Sequence, residues 1–319
     1  MENKINIKLL SMAGQGGAAF GIGLTELAKG RQDIMVLSSD MSTPAGLDKF
    51  KATYPDMFLN MGIAEQNMIG VAVGLCDEGY RTVCVAQACF ITMRSFEQIR
   101  QYCGYMKCPL ILVGIGSGFS LQYMGNTHYA IEDIALMRTI PNMTIIAPCD
   151  ALEAKKALEC AIDSPSPVYI RLFGGTMVPV VHKEDIDFEP GKNINLRSGK
   201  DVAIVAVGSM VEKALAAAEL LSVSGIDCSV TDMHTLNPVD KNLKLELKGK
   251  KLVVTVEEHR INGGVGTIVS ESGYLETGSK LLRLGVAEDT LTPGSYPYML
   301  KETGLDPDNI ARVIKENIR

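Results

Sequence analysis

Short, unbroken apolar runs recur along the chain with helical patterns between them, and this alternation limits the fold more than any other feature. The runs are IMVLSS (34–39), MFLNM (57–61), TVCVA (82–86), LILVGI (110–115), MTIIAP (143–148) and VYIRL (168–172). Segments that read as helices lie between them at 47–54, 64–78, 92–105, 131–138 and 151–162. Strands that are apolar on both faces must be covered on both, which predicts a mainly parallel sheet flanked by helices. The rhythm breaks at HKEDIDFEPGKNINLRSGK (182–200), which is charged and carries Gly and Pro. It resumes with VAIVAVG (202–208), DCSVTDM (227–233), KLVVTVEE (251–258) and KLLRLGV (280–286). The expected organisation is α/β in two domains, residues 1–185 and 201–319, with a linker at 186–200. A chain of 319 residues is long enough for two such cores.

Charge and cysteine usage exclude several functions. The net charge is -6 and no Lys/Arg stripe stands out, which argues against a nucleic-acid surface. No run of about 18 apolar residues argues for a membrane span. The first residues lack a long apolar stretch with a small-residue cleavage site, so the expected location is the cytoplasm. Eight cysteines occur without a single C-x-x-C pair, which argues against a metal site or a disulfide framework and for buried, reduced thiols.

Several polar residues fall where chemistry is expected. Glu65 lies in FLNMGIAEQNMIGVAVGL, at the start of an apolar helix. A buried carboxylate is costly unless partnered, and removal from water favours its protonated form. Such a group suits a hydrogen bond to a basic ring nitrogen, or proton transfer. A Glu in the first turn is also what a helix N-terminus favours. The loop GIGSGFSLQYMGNTHYAIED (114–133) is too long for a plain connection and follows a strand, where α/β proteins bind ligands. Within it, His128 suits a donor or proton carrier to a substrate hydroxyl, or a loop brace. Asp40 closes the first strand as a crevice residue or as the N-cap of the next helix. Phe90 and Phe96 form either a stacking platform for a flat ring or ordinary core. Arg171 is either an anion-gripping fork or half of a structural ion pair. NGGVGT (262–267) has the form of an anion-cradling turn, with close domain packing as the better reading.

GLDKFKATYPDMFLNMGIAEQNMIGVAVGLCDEGYRTV, SFEQIR, NTHYAIEDIALMRTIPNMTIIAPCDALEA and PVYIRL together resemble the pyrimidine-binding domain of the transketolase family. TLNPVD and VTVEEHRINGGVGTIVSE resemble that family's C-terminal domain. The Gly-Asp-Gly to Asn motif of the family's diphosphate-binding domain is missing. The resemblance therefore implies the C-terminal subunit of a split transketolase, dependent on thiamine diphosphate. A separate diphosphate-binding partner would hold Mg2+ or Ca2+, in an α2β2 heterotetramer acting on a small sugar. It implies that Glu65 hydrogen-bonds the aminopyrimidine ring. Phe90, Met93 and Phe96 would surround that ring, Asp40 would lie near the thiazolium, and His128 would meet substrate oxygen. The resemblance makes Arg171 a retained substrate-phosphate contact.

Three departures from the family stand out. Met124 takes the place of an acid that reads a sugar hydroxyl. A His near Gly116 and an Arg near Gln15 to Gly17, both phosphate contacts in the family, are missing. The expected activity is transfer of a two-carbon ketol unit from an atypical ketose to an aldehyde. The alternatives are a decarboxylating synthase resembling deoxyxylulose-phosphate synthase or a 2-oxo-acid dehydrogenase β subunit, and a non-catalytic regulatory subunit.

Overall fold

The computed structural model describes residues 5–287 and 291–318. Its strands are β1 (Ile34–Ser38), β2 (Phe58–Asn60), β3 (Arg81–Gln87), β4 (Ile111–Ile115), β5 (Thr144–Ile146) and β6 (Val168–Leu172). Six more follow: β7 (Ile194–Arg197), β8 (Val202–Ala206), β9 (Cys228–Asp232), β10 (Thr235–Asn237), β11 (Leu252–Arg260) and β12 (Lys280–Val286). They form a seven-stranded sheet, β10-β5-β6-β4-β3-β1-β2, and a five-stranded sheet, β12-β11-β8-β9-β7. Every neighbouring pair is parallel except β10 on β5 and β7 on β9. Two mainly parallel sheets covered by helices are what the apolar runs predict. Alternation along β3 shows why: Cys84 and Ala86 face a cluster with Met68 and Ile69, while Val83 and Val85 face one with Phe20 and Leu24.

Four features lie outside the sequence pattern. Strand β10, from the second half of the chain, closes the edge of the first sheet, so the two halves share a sheet. Strand β7 lies within the charged 182–200 segment, where a half-exposed polar edge strand leaves no apolar run to read. The glycine-rich start forms a helix at Ile7–Gly16, capped by Asn6, and continues as a wider helical turn over Gly17–Leu24. Glycine disfavours helix, but here close approach requires it: a Cβ on Gly16 would lie 2.5 Å from the Ala45 carbonyl oxygen. The fourth is a break in the expected 92–105 helix. It divides into Ala88–Met93, Phe96–Ile99 and a wide turn at Arg100–Tyr105. Ser95 Oγ donates to the Ile91 carbonyl at 2.6 Å, a back-bond that bends helices.

Among the described residues, no helix is long and apolar enough to cross a membrane. The first sheet also fixes where a site can form. The chain leaves β1 towards β2 on one side and leaves β3 towards β4 on the other, so connections diverge between β1 and β3. In an open parallel sheet, ligands bind at such a point, outside the carboxyl ends of the strands.

Candidate active site

Asp40, Glu65, Phe90 and His128 each follow one of four adjacent strands, β1, β2, β3 and β4, at the carboxyl edge of the sheet. Asp40 is exposed and left-handed, at φ 55°. Asp tolerates this conformation, and such positions cluster at functional sites. Asn60 braces it: its Nδ2 donates to Asp40 Oδ1, and its Oδ1 accepts from the Asp40 backbone N–H, both at 3.2 Å. The next helix begins at Asp48, so Asp40 is not its N-cap.

Glu65 is the first residue of the Glu65–Asp77 helix and is only 5% exposed. Met68, Ile69, Ala72 and Val73 bury the same side of that helix, which fixes its rotation and holds Glu65 at the cleft. Its carboxylate accepts from Arg94 Nη1, at 3.1 Å to Oε1 and 3.4 Å to Oε2. The Arg94 guanidinium lies over the Phe90 ring, 3.6 Å from the centroid. Phe90 in turn meets the His128 ring edge-on, with centroids 5.3 Å apart. Glu65, Arg94, Phe90 and His128 thus form one continuous line of contacts. Arg94 was not among the sequence candidates, although its i, i+4 spacing from Phe90 is the usual signal for a cation over a ring on one helix face.

The break at Ser95 separates the other ring residues. Met93 faces outward beside Arg94, whereas Phe96 packs on the core cluster that holds Met68 and Ile69. Phe96 is therefore core, not a second plate of the Phe90 stack. Ile63, Ala64, Gln66, Asn67 and Arg94 complete the cleft beside Glu65, and Ile63 is 76% exposed. An apolar side chain this uncovered beside a buried acid marks an interaction surface.

His128 sits on the long loop after β4. Its Nδ1 contacts Thr127 Oγ1 at 2.9 Å, which leaves Nε2 for a substrate oxygen. The loop is anchored to the second half of the chain: the Phe119 N–H donates to Glu258 Oε1, and Asn126 Nδ2 donates to the Leu291 carbonyl at 2.8 Å. Met124 stands exposed in a short turn, Gln122–Met124.

Arg171 departs from the substrate-binding expectation. It is 3% exposed, its Nε donates to Asp133 Oδ2 at 2.8 Å, and its Nη2 donates to the carbonyls of Ala130 and Glu258 at 2.9 Å. Tyr169 OH donates to the same Asp133 oxygen. This is a sealed ion pair that ties the loop after β4 to β11, turned away from solvent.

NGGVGT cradles an anion, but an internal one. The Glu257 carboxylate accepts from the N–H groups of Val265 and Gly266 at the start of the Val265–Glu271 helix. Burial pushes this acid up to about 7, and burial pushes neighbouring His259 down to about 4. Close packing of the two halves holds as well, since a Cβ on Gly263 would lie 2.5 Å from Ala135 Cβ.

Comparison with known proteins places both halves. Residues 15–173 match the family described as "Transketolase, pyrimidine binding domain", and residues 191–310 match "Transketolase, C-terminal domain". A putative transketolase C-terminal section from Methanocaldococcus jannaschii is 36% identical, over 94% of this chain and 95% of its own length. One of the two subunits of an apulose-4-phosphate transketolase, from Phocaeicola vulgatus, is 32% identical, over 93% of this chain and 95% of its own length. A solved structure described as "Split gene transketolase, inactive beta4 tetramer" superposes with a TM-score of 0.87 at 36% identity, covering 96% of this chain and 98% of that one.

Proposed function

This chain belongs to the transketolase family, and we propose that the Glu65 cleft is half of a thiamine-diphosphate site whose other half comes from a separate diphosphate-binding subunit. The chain is a transketolase-like transferase subunit for moving a two-carbon ketol unit between a ketose and an aldehyde. When bound, thiamine diphosphate supplies the electron sink needed to break the carbon–carbon bond beside the ketose carbonyl.

The residues of the cleft fit that group. The observation that carries this reading is Arg94: a flat, nitrogen-bearing guanidinium lies over Phe90 and hydrogen-bonds Glu65. An aminopyrimidine is also flat and nitrogen-bearing, and it would use the same two partners once Arg94 swings aside. Glu65 would hold a proton against a ring nitrogen, Phe90 and Met93 would pack on the ring, and Asp40 would lie near the thiazolium end. His128 Nε2 would hydrogen-bond the substrate oxygen that gains or loses a proton. The diphosphate and its Mg2+ or Ca2+ belong to the partner, and two copies of each chain form an α2β2 assembly.

The substrate we propose is an atypical sugar. Three positions tied to phosphate grip in the family offer the cleft no cation. Gln15 is buried, with its amide spent on the Pro148 carbonyl and the Phe173 N–H, Gly116 has no side chain, and Arg171 is sealed. Each missing charge-assisted bond weakens phosphate binding by about 1.5–3 kcal/mol. The relative that acts on apulose 4-phosphate supports an unusual ketose.

The test is co-expression with a diphosphate-binding subunit, followed by carbon-balance assays on ketoses, 2-oxo acids and modified sugars. The reading expects ketol exchange without carbon dioxide release, and loss of exchange in Glu65→Gln with the complex intact. Carbon dioxide release would move the chain to the decarboxylating class, and full activity in Glu65→Gln would remove Glu65 from the mechanism.

A further inference from the structure

Four side chains from separate parts of the chain converge where its two halves meet. Cys149 and Glu153 follow β5, His182 lies between β6 and β7, and Asp232 ends β9. All four are buried, and their donor atoms lie within 4.8 Å of one another. His182 Nε2 is 3.0 Å from Glu153 Oε1 and 3.9 Å from Asp232 Oδ2. Neither carboxylate oxygen of Asp232 has a hydrogen-bond partner, although the residue is 0% exposed. Among the described residues, the His182 imidazole is the sole basic group within 4.0 Å of either acid. Two buried carboxylates facing a thiol and a single imidazole leave negative charge uncompensated, a state that buried charge avoids by pairing or by coordinating a metal.

We propose that Cys149, Glu153, His182 and Asp232 bind a structural zinc ion that joins the two halves of the chain. One sulfur, one imidazole nitrogen and two carboxylate oxygens suit zinc, whereas Mg2+ and Ca2+ take oxygen ligands. Four protein ligands complete a tetrahedral shell, which is the closed form of a structural site. The surroundings are organised for this. Asp150 Oδ2 accepts from the backbone N–H groups of Val181 and His182, at 3.1 and 2.9 Å, and so fixes the segment that carries the imidazole. The Cys149 N–H donates to Glu153 Oε2 at 2.8 Å and leaves Oε1 directed at the cluster. Such outer contacts orient first ligands in metal sites. A cavity lined by Gln15, Cys149, Phe173, Ser209 and Tyr296 reaches the thiol and provides an entry path.

The absence of a C-x-x-C pair does not bear on a site of this kind, because its ligands come from four positions that only folding brings together.

The test is metal analysis of the full chain, alone and in complex, after growth in zinc-supplemented medium and desalting. The proposal expects about one zinc per chain, falling to about a tenth in Cys149→Ser and in Asp232→Asn. Cobalt replacing zinc should give a thiolate-to-cobalt charge-transfer band that Cys149→Ser abolishes while Phe188→Leu, outside the ligand set, retains it. If a variant fails to fold, the wild-type measurements decide alone. Zinc below about a tenth per wild-type chain, with no thiolate band on cobalt addition, overturns the site and leaves a metal-free His182–Glu153 pair. Neither readout depends on turnover, so failure here leaves the Glu65 reading standing.

Discussion

At the Glu65 cleft, an acid pairs with an arginine that is half exposed, and Ile63 and Met93 face outward around them. At the seam between the two halves, Asp133 pairs with Arg171 where neither touches water, and Tyr169 and two carbonyls complete the set. The chemistry is alike and the degree of closure is opposite. A half-exposed pair contributes little and rearranges easily, which leaves its acid available to a ligand. A sealed pair cannot lose a partner without stranding a buried charge, so it serves as structure. In this protein, an open ion pair marks where a partner and cofactor are to be added, and a closed one marks where the chain has already finished folding.

The largest expected effect lies in the cleft. Glu65→Gln should lower ketol transfer by roughly 10²–10⁴-fold with assembly unchanged, as measured by steady-state rates and sedimentation of the complex. Equal rates would erase the functional side of the contrast. At the seam, Arg171→Leu should destabilise the chain by about 3–5 kcal/mol in urea unfolding, because Asp133 is left buried and unpaired. Adding Asp133→Leu should recover much of that loss, whereas two additive losses would show that the pair itself, and not the stranded acid, carries the stability.

The seam also sets two opposing pH slopes. His259, held near 4, stays neutral where the unfolded chain takes up a proton below its ordinary 6.5, so its contribution is lost as pH falls from 6.5 to 4. Glu257, raised to about 7, keeps a proton that the unfolded chain releases above 4.5, so its contribution is lost as pH rises from 4.5 to 7. Each slope amounts to about 3 kcal/mol across its window, and between pH 4.5 and 6.5 they offset. Glu257→Gln should therefore gain stability relative to wild type as pH rises, and His259→Gln should lose it. Unfolding curves at pH 4.5, 5.5 and 6.5 would give the signs, and the same sign in both variants would refute the offset.

The smallest effect is predicted for Arg94→Leu. It should change stability by less than about 1 kcal/mol and tighten thiamine-diphosphate binding roughly two- to fivefold, since an exposed pair is worth about 0.2–1 kcal/mol. Weaker binding by titration calorimetry would instead make Arg94 one of the residues that hold the cofactor.

Much of the first sheet was legible because strands buried on both faces leave runs such as LILVGI that need no partner to be read. The Glu65–Asp77 helix was legible from the spacing of its buried residues. Glu65, Phe90 and His128 were picked out one by one as candidates, each with a structural alternative. Nothing local separated Phe90 from Phe96: one Ser95 back-bond turns the first towards the cleft and the second into the core. Arg171 carried the same ambiguity, which its burial resolves.

By itself, the amino-acid order determined the strands, most helices, the division into two α/β halves and the family, because each rests on short-range periodicity or on motifs a few residues long. Tertiary structure decided which groups are open and which are closed. Arg171 meets the Glu258 carbonyl across 87 residues of chain, and β10 crosses over to complete a sheet begun by β1. Charge, exposure and metal-binding capacity follow from such encounters, since the strength of an ion pair or an acid depends on the water and the neighbours that folding leaves around it.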